Sequence, residues 1–90
     1  MPVVSFFYGI TISMYFGDHP PPHVHAEYQG FEALIRIADG EIVRGRLPGT
    51  AHRLAREWIA LHREKLLTNF DRVRDFRHPE RVPGLDHDAG

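Results

Sequence analysis

The sequence predicts an α+β fold in which a small antiparallel sheet of three to five strands is packed by one main amphipathic helix. Three observations predict it. Apolar residues alternate with period two in the first half of the chain, and the turn dipeptides Gln29-Gly30 and Asp39-Gly40 join such stretches by short connections. After Pro48-Gly49 the apolar period lengthens to that of a helix. At 90 residues, 42% hydrophobic and 26% charged, the chain has the size and composition of one globular domain spanning residues 1–90.

The elements follow in order. Met1 to Gly9 is apolar but has neither a basic leader nor a long hydrophobic run, so no signal peptide or membrane span is expected and a cytoplasmic location is. Ile10, Ile12, Met14 and Phe16 alternate with Thr11, Ser13 and Tyr15, the pattern of a half-buried strand. Gly17-Asp18 and the prolines behind them break it. Val24 to Tyr28 resumes extended structure, and Gln29-Gly30 turns the chain into Phe31 to Ile37. Asp39-Gly40 is the stronger hairpin signal and leads into Glu41 to Leu47.

Ala51, Leu54, Ala55, Trp58, Leu61 and Leu66 then share one helical face, which predicts a helix from Ala51 to Leu67 with Thr50 as its N-cap and Trp58 in the core. Asn69 is expected to end this helix in the left-handed conformation, with Phe70 folding back onto the last turn. Asp71 to Arg77 fits either a short helix or a charged strand. Residues 79–90, rich in Pro, Gly and Asp, read as a flexible tail unless Val82 and Leu85 dock.

Chemistry concentrates in Asp18-His19-Pro20-Pro21-Pro22-His23-Val24-His25, where three histidines and an aspartate fall within eight residues. The three prolines bias the backbone toward polyproline II and present His19 from a stiffened segment. His23 and His25 stand two apart, so in an extended chain both rings face the same side, about 6 to 7 Å apart along the strand. The spacing therefore predicts imidazoles converging on one point. With no cysteine, disulfides and thiolate sites are excluded, and any metal must sit on nitrogen and oxygen.

Charge is uneven around a formal net of −1. Residues 1–35 carry no Lys or Arg, while all eleven basic side chains lie between Arg36 and Arg81 among seven acids. The interleaving favours an ordinary solvated surface over a nucleic-acid face.

The chain resembles the bacterial family called domain of unknown function 4160. The resemblance rests on Gly9, Ile10, Ile12, Met14 and Tyr15; on the run Asp18-His19-x-Pro21-Pro22-His23-x-His25-Ala26; and on the Asp39-Gly40 turn, a helix with Trp58, and the ending Leu66-Leu67-x-Asn69-aromatic. It covers most of Val3 to Leu85, and Phe70 stands where Trp would be expected. Proteins like this are commonly encoded beside a second small protein, and some are regarded as the toxin half of a toxin–antitoxin pair. The resemblance thus implies a bacterial cytoplasmic protein with a small antitoxin-like partner encoded nearby, without implying a catalytic mechanism.

Three functional readings stand open. In the first, Asp18, His19, His23 and His25 bind a divalent transition metal such as zinc, nickel or iron. A cupin is a poor match, because Gln29 occupies the region where its Glu should fall and 90 residues are too few for its barrel. In the second, His19, His23 and His25 act as acid and base on an RNA phosphodiester, with Arg36, Arg44 or Arg46 stabilising the phosphate and Tyr15 or Tyr28 stacking a base. In the third, the chain is a non-enzymatic binding module that pairs through an exposed sheet edge with a partner, or with itself as a homo-oligomer.

Other residues are weaker candidates. His52 and His62 are too far apart on the helix for one site, His78 and His87 lie toward the tail, and Glu57 and Glu64 are placed to pair with Arg53 or with solvent. No serine triad arrangement, glycine-rich phosphate loop or Cys nucleophile is present.

Overall fold

Short connections between strands of alternating polarity force neighbours to pair in sequence order, and the computed structural model, which describes residues 2–86, shows that outcome. β1 (Val3–Phe7), β2 (Ile10–Ser13), β3 (His23–Tyr28), β4 (Phe31–Arg36) and β5 (Ile42–Gly45) form an antiparallel meander in the order β1-β2-β3-β4-β5. Two helices, α1 (Gly49–Leu61) and α2 (Arg63–Arg74), pack against the sheet.

Alternation decides which face they cover. Ile10, Ile12 and Met14 of the β2 stretch, Val24 and Ala26 of β3, and Ala33, Ile35 and Ile37 of the β4 stretch are buried. They meet Ala51, Ala55, Trp58 and Ile59 of α1 and Leu66, Phe70 and Val73 of α2. Burying each large side chain contributes about 1.5–3 kcal/mol, and Trp58 stacks at 5.2 Å from Phe7 in a tilted pair. Phe16 departs from the expected strand pattern. It lies past the end of β2, is 38% exposed, and meets the His78 ring edge-on at 5.4 Å.

The helical region differs from its sequence reading in three ways. Instead of one helix ending near Leu67, the chain kinks at His62, whose backbone N–H still reaches the carbonyls of Trp58 and Ile59, and a second helix continues to Arg74. Thr50 is not the N-cap: Pro48 precedes a helix that begins at Gly49, and no side chain caps it. Asn69 does not end a helix either. It is buried within α2, where its amide donates to the Glu80 carbonyl at 2.8 Å and its oxygen accepts the Glu80 N–H at 2.8 Å.

The left-handed residue that terminates α2 is Phe76, at φ 60. The Arg77 N–H bonds the Arg72 carbonyl and the Phe76 N–H bonds that of Val73, the paired pattern of a Schellman cap formed here without glycine. Val82 is then buried and donates its N–H to the Val4 carbonyl, the Trp58 indole donates to the Pro83 carbonyl, and Leu85 packs on the core. The C-terminal segment thus runs along the outer edge of β1. His87 lies outside the described residues.

Candidate metal centre

The site grows from the β2–β3 connection. Gly17, at φ +73, turns the chain after Phe16, and its N–H bonds the Val73 carbonyl at 2.7 Å, which ties the connection to the end of α2. A Cβ there would meet the far end of the exposed Phe76 ring at 2.7 Å, which would have to swing aside, so the positive φ is the main reason for glycine. Asp18 follows, and the proline run returns the chain to β3. The Pro20–Pro21 peptide bond is cis.

His23 and His25 project from β3 on one side, as their spacing requires, with ring centroids 5.2 Å apart. Both rings turn an Nε2 toward the same oxygen. Asp18 Oδ2 lies 2.8 Å from His23 Nε2 and 3.1 Å from His25 Nε2. These three residues offer one ligand atom each within 4.8 Å of one another.

The two contacts differ in kind. His25 makes an aligned hydrogen bond to the carboxylate. His23 does not: its Nε2 is buried and has no hydrogen-bond partner among the described residues, despite lying so close to the oxygen. Its other nitrogen, Nδ1, sits 2.8 Å from the Pro21 carbonyl, and because a carbonyl only accepts, Nδ1 must carry the proton. When the ring is neutral, its Nε2 lone pair therefore lies beside the carboxylate oxygen and off the line to it.

Burial pushes the Asp18 carboxyl upward, but the hydrogen bond from His25, the charge of His23 and the backbone N–H of His19 outweigh it and hold the group below its ordinary range. The His23 side chain is 8% exposed and that of Asp18 15%, while His25 is 24% exposed beneath Tyr15, whose ring lies 4.1 Å away. Phe70 of α2 backs the His23 ring at 5.5 Å. The cluster is therefore held by packing on two sides and opens into a cavity of about 320 Å³, which Pro20, Pro21, Leu34, Val43 and Arg44 also line.

The other sequence candidates are placed unequally. His19 lines the cavity but is not drawn into the ligand cluster: its side chain is 89% exposed, and Nδ1 stands 3.5 Å from the opposite oxygen of Asp18. Tyr15 and Arg44 adjoin the cluster. Arg36 forms a paired contact with Asp39, Arg46 lies over the Phe31 ring at 5.5 Å, and Tyr28 packs against the core near Gly9. None of those three joins the cluster.

Several participants were not singled out from the sequence. Leu34 and Val43 carry no motif, although the Gln29-Gly30 and Asp39-Gly40 hairpin signals foreshadow the registers that put Leu34 beside His25 and Arg44 beside Leu34, and nothing in the proline run announces that the Pro21 carbonyl meets His23.

A family model described as Domain of unknown function (DUF4160) matches residues 9–71, a span that includes Asp18, His23 and His25. The chain belongs to the DUF4160 family. No curated protein and no solved structure matches it. For this DUF4160 protein the matched span runs from the start of β2 into α2, so it contains every residue that lines the cavity, while β1 and the C-terminal segment lie outside it. No helix among the described residues is long and apolar enough to cross a membrane.

Proposed function

We propose that this DUF4160 protein binds one divalent transition metal ion through His23 Nε2, His25 Nε2 and a carboxylate oxygen of Asp18. The observation that carries this reading is the buried His23 Nε2, unpartnered yet 2.8 Å from a carboxylate oxygen. A cation between the two ligands relieves that opposition. The Nδ1–H bond to a backbone carbonyl is the outer support that metal-bound imidazoles characteristically have. Two histidines and one carboxylate form a set used by zinc and by non-haem iron, and they leave coordination positions open toward the cavity.

The RNA reading has less support. Arg36 is engaged by Asp39 and Arg46 lies over Phe31, which leaves Arg44 as the one arginine lining the cavity. Glu27 and Glu32, cross-strand neighbours on the same face, repel a polyanion.

The test is metal content and titration of the full chain. Elemental analysis after loading with zinc, cobalt(II), nickel or iron(II) is expected to give one ion per chain, lost in the His23→Ala/His25→Ala variant while circular dichroism stays unchanged. A loaded wild type that retains no metal, or a variant that retains it equally, overturns the reading.

A further inference from the structure

We infer that the open side of this centre receives a small organic carboxylate with a compact apolar body, one carboxylate oxygen on the metal and the other paired with the Arg44 guanidinium. The inference rests on the metal reading and adds a ligand class to it.

The register supplies the geometry. His25 pairs directly with Leu34, and Leu34 pairs directly with Arg44, so the three stand in one row across β3, β4 and β5 on a single face. Two strand spacings separate the ends of that row, about 10 Å between backbones. Arg44 lines the same cavity as the three metal ligands, so a carboxylate inside it can reach both. Arg44 makes no salt bridge among the described residues, whereas Arg36, Arg53, Arg56, Arg72 and Arg77 each have an acidic partner. Its planar fork suits a carboxylate.

The walls supply the selectivity. Besides the metal ligands and Arg44 the cavity is bounded by Leu34 and Val43 on the sheet and by Pro20 and Pro21 on the connection, none of which offers a side-chain hydrogen bond, and the exposed His19 also lines it. Val43 is 47% exposed, an apolar surface that a bound aliphatic group covers. A volume of about 320 Å³ fits a small molecule. One free arginine and an apolar wall match a monoanion with a hydrocarbon tail better than a phosphate ester.

The experiment uses the full chain loaded with cobalt(II), whose visible absorption reports its coordination. Cobalt titration comes first, and if no ion binds, the metal reading fails and this proposal falls with it. With cobalt bound, 3-methylbutanoate is expected to change the spectrum saturably, and the isosteric 3-methylbutanamide is expected to leave it unchanged. The Arg44→Met variant is expected to keep its cobalt affinity and to bind 3-methylbutanoate about 10- to 100-fold more weakly, as loss of a charge-assisted hydrogen bond predicts. Cobalt binding without a carboxylate response, or equal responses in wild type and Arg44→Met, overturns this proposal and leaves the metal centre intact. Acetate binding as tightly as 3-methylbutanoate removes the apolar wall from the account, and inorganic phosphate binding more tightly than either overturns the carboxylate class.

Discussion

His23 Nε2 and Asp18 Oδ2 lie 2.8 Å apart without forming a hydrogen bond, although one side chain is buried and the other nearly so. In the proposed centre the carboxylate charge is what would draw a cation to this contact. Asp18→Asn keeps the shape and removes the charge, so metal affinity is expected to fall by at least the roughly 10- to 100-fold seen when even outer supports of a metal site are lost. Competition with a chelator of known affinity measures it, and an unchanged affinity excludes Asp18 as a ligand.

Gly17 holds the connection that carries Asp18. A methyl group there meets the Phe76 ring at 2.7 Å, on a backbone with φ +73. Gly17→Ala is expected to cost about 1 kcal/mol or more in stability and to weaken metal binding by displacing Asp18. Phe76→Ala, which removes the ring but not the backbone demand, should restore part of the loss in the double variant. The denaturation midpoints of the four proteins in that cycle give the answer.

Asn69 satisfies both backbone groups of Glu80 from within α2. Asn69→Leu keeps the bulk and leaves the part-buried Glu80 N–H and C=O without their side-chain partner. A loss of about 1–3 kcal/mol is expected in urea unfolding, together with earlier proteolysis near Glu80. A near-neutral change would mean that water replaces the amide.

His62 governs a pH effect. Its imidazole is held below the ordinary histidine value, first by burial beside Trp58 and then by the charge of Lys65. Between that lowered value and about 6.5 the unfolded chain binds more protons than the folded one. The stabilisation by neutral His62 is therefore fully present above about pH 6.5 and is lost as pH falls through the folded-state value. His62→Gln is expected to flatten the fall in unfolding midpoint between pH 7.5 and pH 5.5, and parallel curves for the two proteins would contradict the assignment.

Much of this architecture was legible because strand periodicity is a local property. Ile10, Ile12 and Met14, and the two turn dipeptides, carry their meaning in adjacent residues, and β2 to β5 follow from them. β1 was not legible as a strand, since Val3-Val4-Ser5-Phe6-Phe7 is apolar on both faces and shows no clean alternation. The break at His62 has no Pro or Gly to announce it, and the apolar stripe resumes at Leu66, so the two helices read as one. Asn69 misled for a physical reason: asparagine favours the left-handed cap in isolation, but its two hydrogen bonds to the backbone of a distant segment outweigh that preference. At the site, the His-x-His spacing placed both rings on one side. The isolation of His19 and the choice of Arg44 over Arg36 and Arg46 depended on long-range pairing that no local pattern encodes.

The C-terminal strap along β1 bears on how copies of this protein can meet. Val82 occupies the Val4 carbonyl, Gly84 presses on Phe7, and the Asp86 carboxylate accepts the Tyr8 N–H, so one flank of the meander is already taken by the chain's own tail. Among the described residues β5 is the flank left bare. A sheet with a single available border has room for one neighbour, so if copies paired through their backbones, lateral growth would close at two chains instead of running on into a fibre.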